Sequence, residues 1–142
     1  MPALDPVQAI RVAIVAQLEA AAGLMGLLGG DPTRIVWRPR RVPIVTPVVS
    51  YQDFGARIDP QTPLLERSFV FDAWTSGLES QRHSSDLADA VVRALDQHPM
   101  GVLPGGEANV VYLNLTAITD RPDFDTTVYR TTAQFRMLAY RL

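Results

Sequence analysis

The sequence predicts an α+β fold: an antiparallel or mixed sheet of four to five strands with two helices packed on one face. Three observations predict it. Helical periodicity is confined to two segments, several other segments alternate with the two-residue period of strands, and consecutive strands joined by loops favour antiparallel pairing. A chain of 142 residues with 47% hydrophobic residues suits one domain over 1–142 built on one core.

The first helix opens with Asp5 as a cap and Pro6 at its first position. Val7, Ile10, Ile14 and Leu18 then recur at helical spacing, with Ala13 and Ala21 filling the stripe. Gly23 or Gly26 is expected to fray the end, and Gly29-Gly30-Asp31-Pro32 to stop it. Ile35-Val36-Trp37 predicts a short strand. Arg38-Pro39-Arg40-Arg41, Pro43 and Pro47 follow, and that proline density bars a central, fully hydrogen-bonded strand. Val48 to Asp53 reads as a strand and Gly55 to Pro63 as a projecting loop.

Residues 65–75 alternate, with Phe69, Phe71 and Ala73 on one face and Val70, Asp72 and Trp74 on the other. A second helix runs from Ser80 or Ser84 to Gln97, with Leu87, Val91, Ala94 and Leu95 as its apolar stripe and Pro99 after it. Gly101 to Gly106 is a turn-rich connector. Two long strands close the chain. In 109–119, Val111, Leu113, Leu115 and Ala117 oppose Tyr112, Asn114 and Thr116. In 126–141, Ala133, Phe135, Met137 and Ala139 oppose Arg130, Thr132, Gln134 and Arg136. The second sheet face is therefore polar, and either wet or covered by a partner.

Composition excludes several chemistries. The absence of cysteine removes disulfides, thiolate nucleophiles and cysteine metal sites. All 13 basic residues are arginine, so a Schiff-base lysine and a phosphate-loop lysine are impossible. A net charge of −2 does not suit a strongly basic nucleic-acid binder. No apolar run approaches the roughly 18–20 residues of a membrane span, and the N-terminus lacks a basic signal-peptide region, so a soluble, cytoplasmic protein without membrane contact is expected.

Motifs of catalysis are missing. His83 and His98 sit at opposite ends of the second helix, about 22 Å apart along an ideal axis, too far to share a metal. Thr75-Ser76-Gly77 lacks the glycine of a nucleophile elbow. Asp120, Asp123 and Asp125 cluster without the glycine and terminal glutamate of a calcium loop. Asp86 and Asp89 are expected at the start of the second helix, where they favour its dipole. The run Arg38 to Arg41 suits a solvated, interface or DNA-backbone role, with Trp37 as its only aromatic neighbour.

Taken in order, several segments resemble the tail terminator (tail completion) family of long-tailed bacteriophages. They are the N-terminal amphipathic helix ending at Leu27-Leu28-Gly29-Gly30, and Arg34-Ile35-Val36-Trp37 with prolines after it. Pro47-Val48-Val49-Ser50-Tyr51 then leads into the projecting loop, and Phe69-Val70-Phe71-Asp72-Ala73-Trp74 into the helix holding Ala88 to Leu95. The closing strand carries Tyr129-Arg130 and Phe135-Arg136. The resemblance implies a virion structural protein, assembled in the host cytoplasm, that forms a ring, usually a hexamer, at the head-proximal end of the tail. The ring would end growth of the major tail tube protein and dock the head-neck connector, with DNA only in transit through its bore. It implies no catalysis and no cofactor. Head closure or head–tail joining is the alternative within the virion. A small hydrolase or ligand-binding domain using His83 or the acidic loop is the alternative outside it.

Three surfaces are candidates for these contacts. Tyrosine and arginine favour interfaces, which makes Tyr112, Asn114, Arg130, Gln134 and Arg136 the candidate subunit contact. Long loops in compact domains are usually functional, which makes Phe54, Arg57, Asp59 and Leu65 the candidate tube or neck contact. An arginine-lined bore would hold phosphates, so the acidic residues Asp120, Asp123 and Asp125 are the candidate bore lining.

Overall fold

The computed structural model describes residues 6–37, 46–58, 64–76, 80–96, 101–102, 108–122 and 128–141, with side chains over 11–37, 46–52, 68–76, 82–96, 113–119 and 129–137. In chain order the elements are α1 (Pro6–Glu19), α2 (Ala22–Leu27), a 3-10 turn (Pro32–Arg34), β1 (Ile35–Trp37), β2 (Val48–Ile58), β3 (Leu64–Ser76), α3 (Ser80–Leu95), β4 (Gly101–Val102), β5 (Ala108–Pro122) and β6 (Val128–Arg141). The strands form one sheet in the order β1-β2-β3-β6-β5-β4. Its neighbours are antiparallel except β1 and β2, which run parallel. The predicted mixed α+β architecture is thus observed, with the two-residue β4 as an added edge.

The first helical segment is broken, where the sequence suggested one helix. Ala21 is extended (φ −81°, ψ 102°), separating α1 from α2. Packing explains the break. At 100° per residue, Leu24 in an unbroken helix would lie about 120° away from Leu18 around the axis. Restarting the helix at Ala22 re-phases the stripe, so Ile14, Leu18, Leu24 and Leu28 are all buried. Gly23 and Gly26 lie inside α2. The helix ends at Gly29 and Gly30, which take φ +72° and +74°. Gly30 N–H donates to the Met25 carbonyl at 2.7 Å and Gly29 N–H to that of Gly26 at 3.3 Å, closing the last turn.

Helix α3 lies across β3 and β6, with α1 and α2 against it. Leu87, Ala88, Val91, Ala94 and Leu95 bury against Val49, Phe69, Phe71, Ala73, Leu113, Ala133, Phe135 and Met137. Each Leu, Val or Phe fully withdrawn from water contributes about 1.5–3 kcal/mol. Ser84 and Thr131 share a buried hydroxyl bond of 2.8 Å, a polar tie between α3 and β6 that the apolar stripe did not signal. At the other end of α3, Asp96 Oδ1 accepts from Leu115 N–H at 2.9 Å, tying the helix exit to β5.

Asp86 and Asp89 lie beyond the first turn, because α3 starts at Ser80. Asp89 instead meets Arg93 one turn on, at 2.8 Å. That exposed pair is worth about 0.3–0.5 kcal/mol.

β2 and β5 run further into their hairpins than predicted. Residues 55–58, expected as loop, continue β2 and pair with β3. Phe54 and Arg57 are therefore strand residues of β2 and Leu65 of β3, while Asp59 lies outside the described residues. Asp120 likewise belongs to β5, and Asp123 and Asp125 lie outside the described residues. Two bulges, between Val110 and Tyr112 and between Leu115 and Ala117, change the alternation of β5. Ala117 thereby pairs with Gln134, and Ile118 with Ala133. Of the predicted common face, Leu113 and Leu115 share the helix-bearing side, while the bulge after Leu115 reverses the pleat and moves Ala117 to the other side.

Candidate interaction surface

The sheet face away from the helices is built from cross-strand rows. Across β2, β3, β6 and β5 the first row is Val48, Trp74, Arg130 and Arg121. Then come Ser50, Asp72, Thr132 and Thr119; then Gln52, Val70, Gln134 and Ala117; then Phe54, Ser68, Arg136 and Asn114. A fifth row holds Arg57, Glu66, Leu138 and Tyr112. Bulges in β2 (between Phe54 and Ala56) and in β5 keep these rows aligned.

This face is closed at one end and open at the other. Val48, Ser50, Asp72, Trp74 and Thr132 are buried, and their polar atoms bond to one another. Trp74 Nε1 donates to Ser50 Oγ at 3.0 Å, and Thr132 Oγ1 to Asp72 Oδ1 at 2.6 Å. The Arg130 guanidinium sits 5.0 Å from the centre of the Trp74 ring, a cation–π arrangement. At the other end Ser68, Asn114, Thr116, Gln134 and Arg136 are exposed.

The fold thus unites two groups of residues that the sequence kept apart. Phe54 shares a row with Arg136 and Asn114, and Arg57 shares one with Tyr112. Gln134 lies one row away. Arg130 is separated from Arg136 by six residues of β6, about 20 Å, and belongs to the closed end. Asp120 pairs with Thr131, whose hydroxyl meets α3, so register puts Asp120 on the helix-bearing face. Ser68 was missed by the sequence reading. Its signal was its position two residues before Val70 in the alternating run.

Two other features frame the molecule. Trp37, Tyr51, Phe71 and Phe135 form an aromatic chain across β1, β2, β3 and β6, with ring centres 5.0, 6.1 and 5.4 Å apart. The Arg11 guanidinium caps it, 3.5 Å from the Trp37 ring centre. Burial pushes the Tyr51 hydroxyl above its ordinary pKa. Leu27, Pro47, Thr75, Ser76, His83 and Leu87 line a hollow of about 320 Å³. Its described lining holds one titratable side chain, His83. Among the described residues no three His, Cys, Asp or Glu side chains could hold a metal. No described helix is long and apolar enough to cross a membrane.

Comparison with known proteins places this geometry. The chain superimposes on a protein from a structure described as "Virion of native gene transfer agent (GTA) particle", with a TM-score of 0.76, 21% identity, 96% of this chain covered and 98% of that one. That likeness establishes the fold. No curated protein sequence matches. The family described as "Tail completion protein gp17" matches residues 12–140, from the second turn of α1 to the end of β6. The chain therefore belongs to the tail completion protein gp17 family, and its role is structural, in the virion tail, rather than catalytic.

Proposed function

We propose that this protein forms a ring that caps the head-proximal end of the tail tube, ends growth of the major tail tube protein and offers a docking surface to the head-neck connector. The geometric observation that carries this reading is the asymmetry of the sheet. One face is covered by helices, while the other keeps an open polar end whose described exposed residues lie on β3, β5 and β6. A ring with two unlike faces binds the tube with one of them. Its other face does not repeat the tube surface, so no further tube subunit has a complementary site. The β2–β3 hairpin, with Phe54, Arg57 and Leu65 in its arms, is the candidate contact to tube or neck. Tyr112, Asn114, Gln134 and Arg136 are the polar rows beside it. DNA would pass through the bore without a base-specific site.

The test is co-assembly. Purified protein mixed with purified tail tubes should bind one end only, seen by negative-stain microscopy, and tubes so capped should not lengthen when tube protein is added. Binding to filled heads but not to tubes would instead identify a head-closure protein. Continued growth of decorated tubes would overturn the capping reading.

A further inference from the structure

We propose that copies of this chain join edge to edge: the open half of β5 in one copy pairs antiparallel with the open half of β2 in the next, making the ring one continuous sheet. The inference rests on the ring reading above and names the surfaces that close it.

The observation is a pair of half-covered edges. Among the described residues, β1 covers β2 only at Val49, Ser50 and Tyr51, which leaves Gln52 to Ile58 open. On the opposite edge β4 covers β5 only at Asn109 and Val110. The tie from Asp96 reaches Leu113 and Leu115, which among the described residues leaves Thr116 to Pro122 open. Register places these halves at opposite ends of the sheet. Val48 shares its row with Arg121, and Ile58 shares its row with Val110. Open edges are usually blunted by lysine, proline or charge. Here there is no lysine, the β5 edge meets proline only at Pro122, and each open half carries only two charged residues, Asp53 and Arg57 on β2 and Asp120 and Arg121 on β5. Thr116, Ala117, Ile118 and Thr119 are all exposed, Ile118 by 50%.

The two halves are complementary in direction, pleat and length. Three antiparallel steps separate β2 from β5, so a neighbouring copy presents its β2 antiparallel to this β5. A continuous pleat requires residues of like face to pair. Pairing Gln52 of the neighbour with Arg121 meets that requirement and runs the open halves together to Ile58 opposite Thr116. Gly55, at the existing β2 bulge, absorbs the extra residue. Within one copy Gln52 shares its row with Ala117, so each neighbour is displaced by four residues along the strands. With about 3.4 Å per residue and about 4.8 Å per strand, that displacement over four strands tilts them by about 35°. Closed barrels have tilts of about 35–45°, and about 16 strands, which four copies would supply, already enclose a channel.

The pairing also fits the described positions of the outer strands. In this register the neighbour's β1 takes over the β2 edge at Tyr51, where β5 reaches its last residue, Pro122, and β4 lies on the β5 edge six residues before Thr116. Each short strand covers the half-edge that the neighbour does not use. The copy–copy contact thereby moves from the polar rows to the edges, and the polar rows stay open to a second partner.

The absence of native cysteine allows a direct test. In the proposed register Ala56 lies opposite Ile118 of the next copy, at the Cα spacing of about 4.5–5.5 Å that a disulfide accepts. The Ala56→Cys, Ile118→Cys double variant, oxidised alone and with tail tubes, should give a covalent ladder ending at the ring size of the wild-type protein. Each single variant should give none. Asp53 falls opposite Asp120 in this register, so Asp120→Asn should tighten association roughly 1.4- to 5-fold per junction. Should the double variant not fold, Ile118→Lys decides: it should abolish rings while Gln134→Lys, on the polar rows, keeps them. Wild-type rings without a ladder, or rings that survive Ile118→Lys, overturn the edge pairing and leave the ring reading standing. No wild-type ring, alone or on tubes, overturns the ring reading itself.

Discussion

Asp72 is a carboxylate that folding withdraws from water, and its observed partner is the Thr132 hydroxyl at 2.6 Å. A buried acceptor that loses its donor retains its desolvation cost. Thr132→Val should therefore destabilise the fold by about 1–3 kcal/mol, with Thr132→Ser restoring most of it. Urea denaturation reads this as a lower midpoint at constant slope, and an unchanged midpoint would show that the hydroxyl does not support the carboxylate. Tyr51 makes the corresponding argument for pH. Burial raises its pKa above 10.0, opposed by the charge of Arg11 and reinforced by that of Glu19. The folded value lies above the unfolded one. Its contribution to stability is therefore complete below the unfolded pKa of about 10 and declines as pH rises through the folded value. Tyr51→Phe should flatten the fall in denaturation midpoint between about pH 9 and 11, compared with wild type at each pH.

Among the elements, the helical layer shows where local signals succeed and where packing overrides them. The α3 stripe was legible because Leu87, Val91, Ala94 and Leu95 keep one period throughout, and all four are buried. The break between α1 and α2 was not, since Ala20 and Ala21 carry no terminating signal and only the need to bury Leu24 and Leu28 produces it. Leu24→Ala should accordingly cost about 2–5 kcal/mol, while Leu27→Ala, at a side chain 46% exposed, should cost far less. Equal costs would contradict the re-phasing. Gly29→Ala tests the end of α2. Nothing lies within 4 Å of an added Cβ, so the cost is backbone alone, about 1–2 kcal/mol at φ +72°. The strands repeat the lesson. Phe69, Phe71 and Ala73 were placed correctly by alternation, but the bulges of β5 come from pairing with β6 and leave no mark in composition. The candidate site was legible as a list and not as a surface. Phe54 and Arg57 join the rows of Arg136 and Tyr112 only because β2 continues past Asp53.

For the whole molecule, the proposed edge contact is heterologous: each copy uses two different patches, one on β2 and one on β5. Such a contact closes into a ring only when every member has both patches working. A subunit carrying Ile118→Lys keeps its β2 edge and loses its β5 edge, and one carrying Ala56→Lys does the reverse. Each alone should be monomeric, with its thermal midpoint near that of wild type, because the changes lie at an edge rather than in the core. Mixed in equal amounts, the two variants still share one intact junction, between the open β5 of the Ala56→Lys chain and the open β2 of the Ile118→Lys chain. Both outer edges of that pair are blocked, so the mixture should stop at a dimer, measured by sedimentation velocity or native mass spectrometry. If one self-complementary patch joined the copies, it would have no second, intact surface with which to rescue the pair. Two monomeric variants that remain monomeric together would therefore exclude the two-patch junction, while rings formed by either variant alone would exclude these edges as the contact. Mixing Ile118→Lys with wild type gives the same distinction in graded form. Closed rings should then fall more steeply than the wild-type fraction, because one blocked edge suffices to leave a ring open.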